Sequence, residues 1–156
     1  MKQQRGFTLI ELVVVIVILG LLAATALPKF IDVTTDAREA SVQGVAGGLR
    51  AAAALGQAQY VVNGDKSATT ISMGGTTVTV LDEDNNPGFG GRPIANTGGI
   101  VEAMPNPDGF DNPLTNGAST LGTSLVYEPT SGGNASCRAT YTPTNSDPVT
   151  TIISDC

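Results

Sequence analysis

Hydrophobic and polar positions follow three successive patterns along this chain. From Phe7 to Leu27 apolar residues run almost without interruption, and the only ionisable side chain among them is Glu11. A helix of roughly 20 such residues, rising about 1.5 Å each, matches the hydrocarbon thickness of a bilayer, about 30 Å. The first pattern therefore predicts a membrane-crossing segment. In the second, Val42, Val45, Leu49, Ala53, Gly56 and Tyr60 recur at spacings of three and four, while Asp36, Glu39, Gln43, Arg50 and Gln57 fall mostly elsewhere. That is the signature of an amphipathic helix. Joining the two gives one helix from about Thr8 to Tyr60, about 80 Å long, with a protruding apolar half and a second half packed on a head.

The third pattern consists of short β-type runs separated by turns. Thr69 to Ser72 and Thr76 to Leu81 flank Met73-Gly74-Gly75 and alternate threonine with aliphatic residues, which predicts a hairpin. Asp82 to Arg92 is a polar, glycine-containing loop. Ile100 to Met104 is a short helical turn stopped by Pro105, and Asn106 to Asn116 is a further turn-rich connection. Ser124 to Tyr127, Cys137 to Thr142 and Thr150 to Ser154 have strand-like content and suggest an antiparallel meander. The fold class is α+β, a long N-terminal helix laid across one small antiparallel sheet.

Two residues interrupt the long helix. Pro28 removes a backbone bond to Ala24 and clashes with that carbonyl, a penalty of about 3 kcal/mol, and Gly20 weakens the same stretch. The region from Gly20 to Pro28 is therefore soft and kinked. Gly44, Gly47, Gly48 and the run Ala51 to Ala54 read as small residues that allow close packing against the sheet.

Glu11 is the position that apolar patterning does not explain. A carboxylate inside a bilayer segment costs on the order of 3 kcal/mol, and such a residue marks a functional site whose partner must be found. An amine is the natural candidate. Lys2 and Arg5 precede the run, a basic flank retained in the cytoplasm, so the bulk of the chain faces outward. An ordinary signal peptide is a competing reading, because Ala24-Thr25-Ala26 fits an A-x-A cleavage pattern. It would make the product a secreted binding protein. A typical h-region spans only about 7 to 15 residues, however, and has no use for an early acid. A plain single-span anchor likewise leaves Glu11 unexplained.

Composition narrows the function further. Acids outnumber bases by 14 to 8, and beyond residue 60 the bases are only Lys66, Arg92 and Arg138. A surface of this kind lacks the basic patch that grips phosphate backbones, so nucleic acid is not an expected partner. There is no histidine, and the only two cysteines lie near the C-terminus, which removes His-dependent triads and the usual zinc ligand sets. No enzymatic activity and no cofactor are expected. Asp82, Asp84 and Asn86 alternate as in a calcium loop, but Pro87 and Pro93 stand where that motif needs Gly and Glu, so a solvated turn is the better reading. Asn134-Ala135-Ser136 matches a glycosylation sequon, a degenerate signal that leaves modification open. Aromatics at 4% are too sparse for a stacked conducting path. Cys137 and Cys156, 19 positions apart and outside the membrane in this topology, are expected to form a disulfide worth roughly 3 kcal/mol in the chain-entropy account.

The basic leader, Gly6 and the run FTLIELVVVIVILGLLAATALP together resemble the signal of type IV prepilins. The resemblance implies cleavage between Gly6 and Phe7 by a membrane-embedded prepilin peptidase and N-methylation of Phe7. It also places the family's acid at Glu11, where the Phe7 amine of a neighbouring subunit would neutralise it and set register. Domains follow as 1–6 leader, 7–28 transmembrane and filament-core helix, and 29–156 globular head. Without Lys2 and Arg5 the mature chain carries 14 acids against 6 bases. Family likeness further implies loss of helicity between Gly20 and Pro28 within filaments, and a Cys137–Cys156 loop on the type IVa plan. The runs GGIVEAM and CRATYT with the terminal cysteine look most like the mannose-sensitive haemagglutinin (MSHA) branch. The implied role is a major pilin, held in the inner membrane and then polymerised into an extracellular filament for attachment and biofilm formation. Its implied partners are further copies of itself, the peptidase, an inner-membrane platform, an assembly ATPase and a secretin. A pseudopilin of a type II secretion system, driving protein export, shares the leader, Glu11 and helix and is the alternative. Such pseudopilins usually lack the cysteine pair and carry a calcium site.

Overall fold

Helix α1 occupies Leu9–Asn63, 55 residues that include Gly20 and Pro28. The computed structural model describes residues 7–111, 124–144, 146–154 and 156, with the backbone alone at 27–32. The chain divides into two units, Met1–Ala37 and Arg38–Cys156. In the first, α1 carries its apolar residues on every side, and each side chain from Phe7 to Ala26 is exposed. A helix that is hydrophobic all round belongs in a membrane or among other helices.

In the second unit α1 is one-sided. Val42, Val45, Ala46, Leu49, Ala52, Ala53 and Tyr60 are buried, the spacing the sequence predicted. The helix runs past the expected end at Tyr60 to Asn63, where Gly64 takes φ +74° and its N–H donates to the Tyr60 carbonyl at 3.2 Å. Glycine adopts this left-handed cap without the penalty a Cβ would bring.

The hairpin forms as expected from β1 (Thr70–Met73) and β2 (Thr76–Thr79), which pair antiparallel with Ile71 opposite Val78. Gly74 and Gly75 both have positive φ, 60° and 91°, which a two-residue turn matched to the strand twist requires. Ile71, Val78 and Val80 form a small apolar cluster with Tyr60. Helix α2 is a single turn, Ile100–Ala103. The predicted meander is β3 (Leu125–Tyr127), β4 (Cys137–Tyr141) and β5 (Val149–Ile153), antiparallel in the order β3-β4-β5. Its alternation is clear on β4, where Cys137, Ala139 and Tyr141 are buried and Arg138 and Thr140 are not. These residues meet Val42, Leu49, Ile100, Leu125 and Tyr127 in the main core, where each large aliphatic side chain contributes about 2 kcal/mol.

The architecture is α+β, but among the described residues the expected single sheet is two, one of two strands and one of three. The reason lies in the segment after β2. Val80 meets Pro93 in an isolated bridge, so the chain after β2 folds back along it. That edge of β2 is covered by loop backbone, with Thr79 N–H donating to Gly98 O at 2.8 Å and Ile94 N–H to Thr79 O at 3.1 Å. An edge so covered is not open to another strand. The close-packing reading of the small helix residues also needs correction. A Cβ on Gly56 would lie 2.7 Å from the Gly91 carbonyl oxygen, and one on Gly48 would strike Met104. Gly44 and Gly47 face open space instead, and Ala51 and Ala54 are exposed.

Polar side chains tie the loops of the second unit to its helix. The Tyr60 hydroxyl donates to the Lys66 carbonyl and accepts from Glu83 N–H at 2.9 Å. Glu83 in turn accepts from Gly88 N–H and Gly90 N–H, each at 3.0 Å, and these bonds hold its carboxyl below the usual range. Arg50 donates to Asp147 and to the Val149 carbonyl, and Arg92 to the Pro143 and Ser146 carbonyls. Tyr141 donates from the core to Pro93 O at 2.7 Å.

Candidate assembly site

Leu9–Ala26 is long and apolar enough to cross a membrane. Phe7, Leu9 and Ile10 are 83%, 80% and 71% exposed. An exposed apolar surface of this extent marks a site of membrane or protein interaction. Glu11 lies at the start of this surface.

The residue found beside Glu11 is Thr8, which sequence reasoning missed. Thr8 N–H donates to Glu11 Oε2 at 2.9 Å and the Thr8 hydroxyl donates to the same oxygen at 2.6 Å. In return Glu11 N–H donates to Thr8 Oγ1 at 3.3 Å. This reciprocal arrangement is a capping box, in which the threonine before the helix and the glutamate three residues on satisfy each other's unpaired backbone donors. The signal was present as T-x-x-E in Thr8-Leu9-Ile10-Glu11. Glu11 thus has an intrachain task beside any pairing between subunits.

Further along, Thr25 Oγ1 donates back to the Leu22 carbonyl at 3.0 Å. Side-chain bonds of this kind compete with the helix ladder. They act next to Ala24, whose carbonyl Pro28 leaves without its usual donor. Gly20 faces open space. Helix α1 nevertheless runs through the stretch from Gly20 to Pro28, and the side chain of Pro28 lies outside the described residues. Gly6 lies outside them altogether.

Cys137 and Cys156 are joined in a disulfide with Cα atoms 4.8 Å apart. Asp82 Oδ1 accepts from Asn85 N–H and Nδ2, at 2.7 and 2.8 Å, and Asn86 is buried. Among the described residues no group of three or more His, Cys, Asp or Glu is placed to hold a metal ion. Asn134 Oδ1 accepts from Ser136 N–H at 2.6 Å, a local turn within the sequon.

Residues 1–27 match a family described as the prokaryotic N-terminal methylation motif. A fimbrial protein of Pseudomonas aeruginosa is 31% identical over 150 residues, covering 92% of this chain and 91% of that protein. The type IV major alpha-pilin of Moraxella bovis is 42% identical over 72 residues, 45% of each chain. The type IV narrow pilus major component PilA5 of Thermus thermophilus is 49% identical over 55 residues, so the match spans 35% of this chain and only 47% of that relative. No solved structure matches the chain significantly. With the methylation motif at its start, the exposed apolar helix behind it and a fimbrial relative aligned over nearly its whole length, the chain belongs to the type IV pilin family.

Proposed function

We propose that this protein is the major structural subunit of a type IV pilus, matured by cleavage between Gly6 and Phe7 and N-methylation of Phe7, and polymerised through residues 7–28. The observation that carries the reading is the exposed apolar surface from Phe7 to Ala26 with Glu11 at its start. Lipid covers that surface before assembly and neighbouring helices cover it afterwards. The Phe7 amine of one subunit neutralises Glu11 of the next, which fixes register more than it adds stability. A prepilin peptidase, an inner-membrane platform, an assembly ATPase and a secretin complete the route from inner membrane to cell surface. The GGIVEAM and CRATYT runs support an MSHA-type pilus serving attachment and biofilm formation.

Sheared surface fibres, examined by electron microscopy with intact-mass and N-terminal analysis, test this. The expected subunit begins at N-methylated Phe7. A mature chain beginning at Leu27 would sink the reading, and loss of protein export without loss of surface fibres in a deletion strain would point to a pseudopilin. Glu11→Ala is expected to be processed and inserted, since its helix enters lipid more readily, yet to polymerise poorly. Assembly of this variant at the wild-type rate into fibres of normal symmetry would refute the pairing.

A further inference from the structure

We propose that Thr8 is a positioning residue for subunit addition: it holds Glu11 Oε2 in the chain's own helix cap and so presents Oε1 to the amine of the incoming or receiving subunit. This rests on the polymerisation reading above and adds to it a second residue with a distinct chemical task.

Both donors from Thr8 converge on one oxygen, Oε2, at 2.9 Å from the backbone nitrogen and 2.6 Å from the hydroxyl. Among the described residues no hydrogen bond is made to Oε1. An ionised carboxylate has roughly four acceptor sites over its two oxygens, so the cap leaves half of the group for another donor. Short bonds from a hydroxyl to a carboxylate are among the stronger ones, and they act here where water is scarce. The return bond from Glu11 N–H to Thr8 Oγ1 fixes the hydroxyl itself. Every atom in this ring belongs to Thr8 or Glu11, so cleavage between Gly6 and Phe7 removes none of them. The box is therefore available in precursor and product alike.

The consequence is a division of labour within one side chain. A glutamate free to rotate about its side-chain torsions must be ordered when an amine arrives, whereas the capped glutamate is ordered beforehand. In lipid the cap also satisfies backbone donors at the helix start, which water would otherwise serve. The requirement falls on the hydroxyl of residue 8, because the backbone N–H is supplied by any residue except proline.

Thr8→Val keeps the branched shape and the N–H and deletes the hydroxyl, while Thr8→Ser keeps the hydroxyl. The full-length subunit carrying 13C-labelled glutamate is placed in lipid bilayers, and the Glu11 carboxyl resonance is identified by its absence from Glu11→Gln. Thr8→Val is expected to shift that resonance and to lower the rate of fibre formation in cells at least about fivefold. Thr8→Ser is expected to restore the resonance and to assemble within about twofold of wild type. The resonance is read on unprocessed and processed chains, so a cleavage defect next to the junction leaves it measurable. An unmoved resonance in Thr8→Val, normal assembly of a processed Thr8→Val, or failure of Thr8→Ser to rescue overturns the proposal. If Glu11→Ala itself assembles normally, the failure belongs to the pairing of Glu11 with an amine, whatever the resonance shows of the cap.

Discussion

Arg38 donates from Nη1 to the carbonyl of Cys156 at 2.7 Å, and the sulfur of that same Cys156 is bonded to Cys137 on β4. The acceptor for an arginine on α1 is thus held in place by a covalent link to the sheet. A Cβ on Gly132 would fall 2.7 Å from the Arg38 guanidinium carbon, so this side chain is also confined from the direction of the β3–β4 connection.

Replacing Cys137 by serine is expected to cost about 3 kcal/mol, a large share of the 5 to 15 kcal/mol that stabilises a small domain. Chemical denaturation of the purified chain in detergent should show a lower midpoint, and cells should hold less pilin. Two free thiols in native wild-type protein would be the contrary result.

Gly56→Ala and Gly44→Ala should behave oppositely. At Gly56 the new methyl meets the Gly91 carbonyl and Pro93, and overpacking of this kind costs about 1 to 3 kcal/mol. At Gly44 nothing lies within 4 Å, so alanine should stabilise the subunit by up to about 1 kcal/mol through helix propensity alone. Denaturation midpoints of the two variants check the signs. Impaired polymerisation of a stabilised Gly44→Ala would show that a neighbouring subunit approaches the helix there.

Two buried phenols set the alkaline limit of stability. Burial pushes Tyr127 up to about 12 and raises Tyr141 as well, whereas both titrate near the ordinary 10 once unfolded. The unfolded state therefore loses protons first, and stability present below about pH 10 is lost as pH rises through the folded values. Phenolate absorbance should rise together with loss of folded structure. Early, fully reversible ionisation of Tyr127 and Tyr141 in the folded protein would contradict this.

An acid limit should appear at Asp147. Its hydrogen bonds from Arg50 and then from Val149 N–H hold the carboxyl below the ordinary 3.8. The stability this contributes is present above the unfolded value and lost as pH falls through the folded one. Asp147→Asn should flatten the stability profile below about pH 4 and leave it nearly unchanged at neutrality, because the pair with Arg50 is largely exposed.

The long helix and the strands were legible because they rest on local periodicity. Val42, Val45 and Leu49 declare a buried face by spacing alone, and Met73-Gly74-Gly75 declares a turn by backbone freedom. The division into two sheets was less visible. It depends on where the chain goes after Val80, because loop residues as distant as Ile94 and Gly98 take the Thr79 backbone groups that another strand would need. Gly44 and Gly56 look alike in a sequence, yet one faces open space and the other a carbonyl 35 residues away in the chain. At the candidate site the acid was conspicuous and its neighbour was not, because Thr8 is one more residue of a membrane run until T-x-x-E is read as a cap.

The arginines that secure the β4–β5 connection grip it mainly by its main chain. Arg92 holds the carbonyls of Pro143 and Ser146, Arg50 holds that of Val149, and Thr142 N–H closes the turn onto Pro148 O at 2.7 Å. Carbonyl oxygens are common to all amino acids, so these anchors are indifferent to most side chains they hold. Apart from Asp147, the side chains carried by the described residues of this connection can therefore change without removing the bonds that hold it.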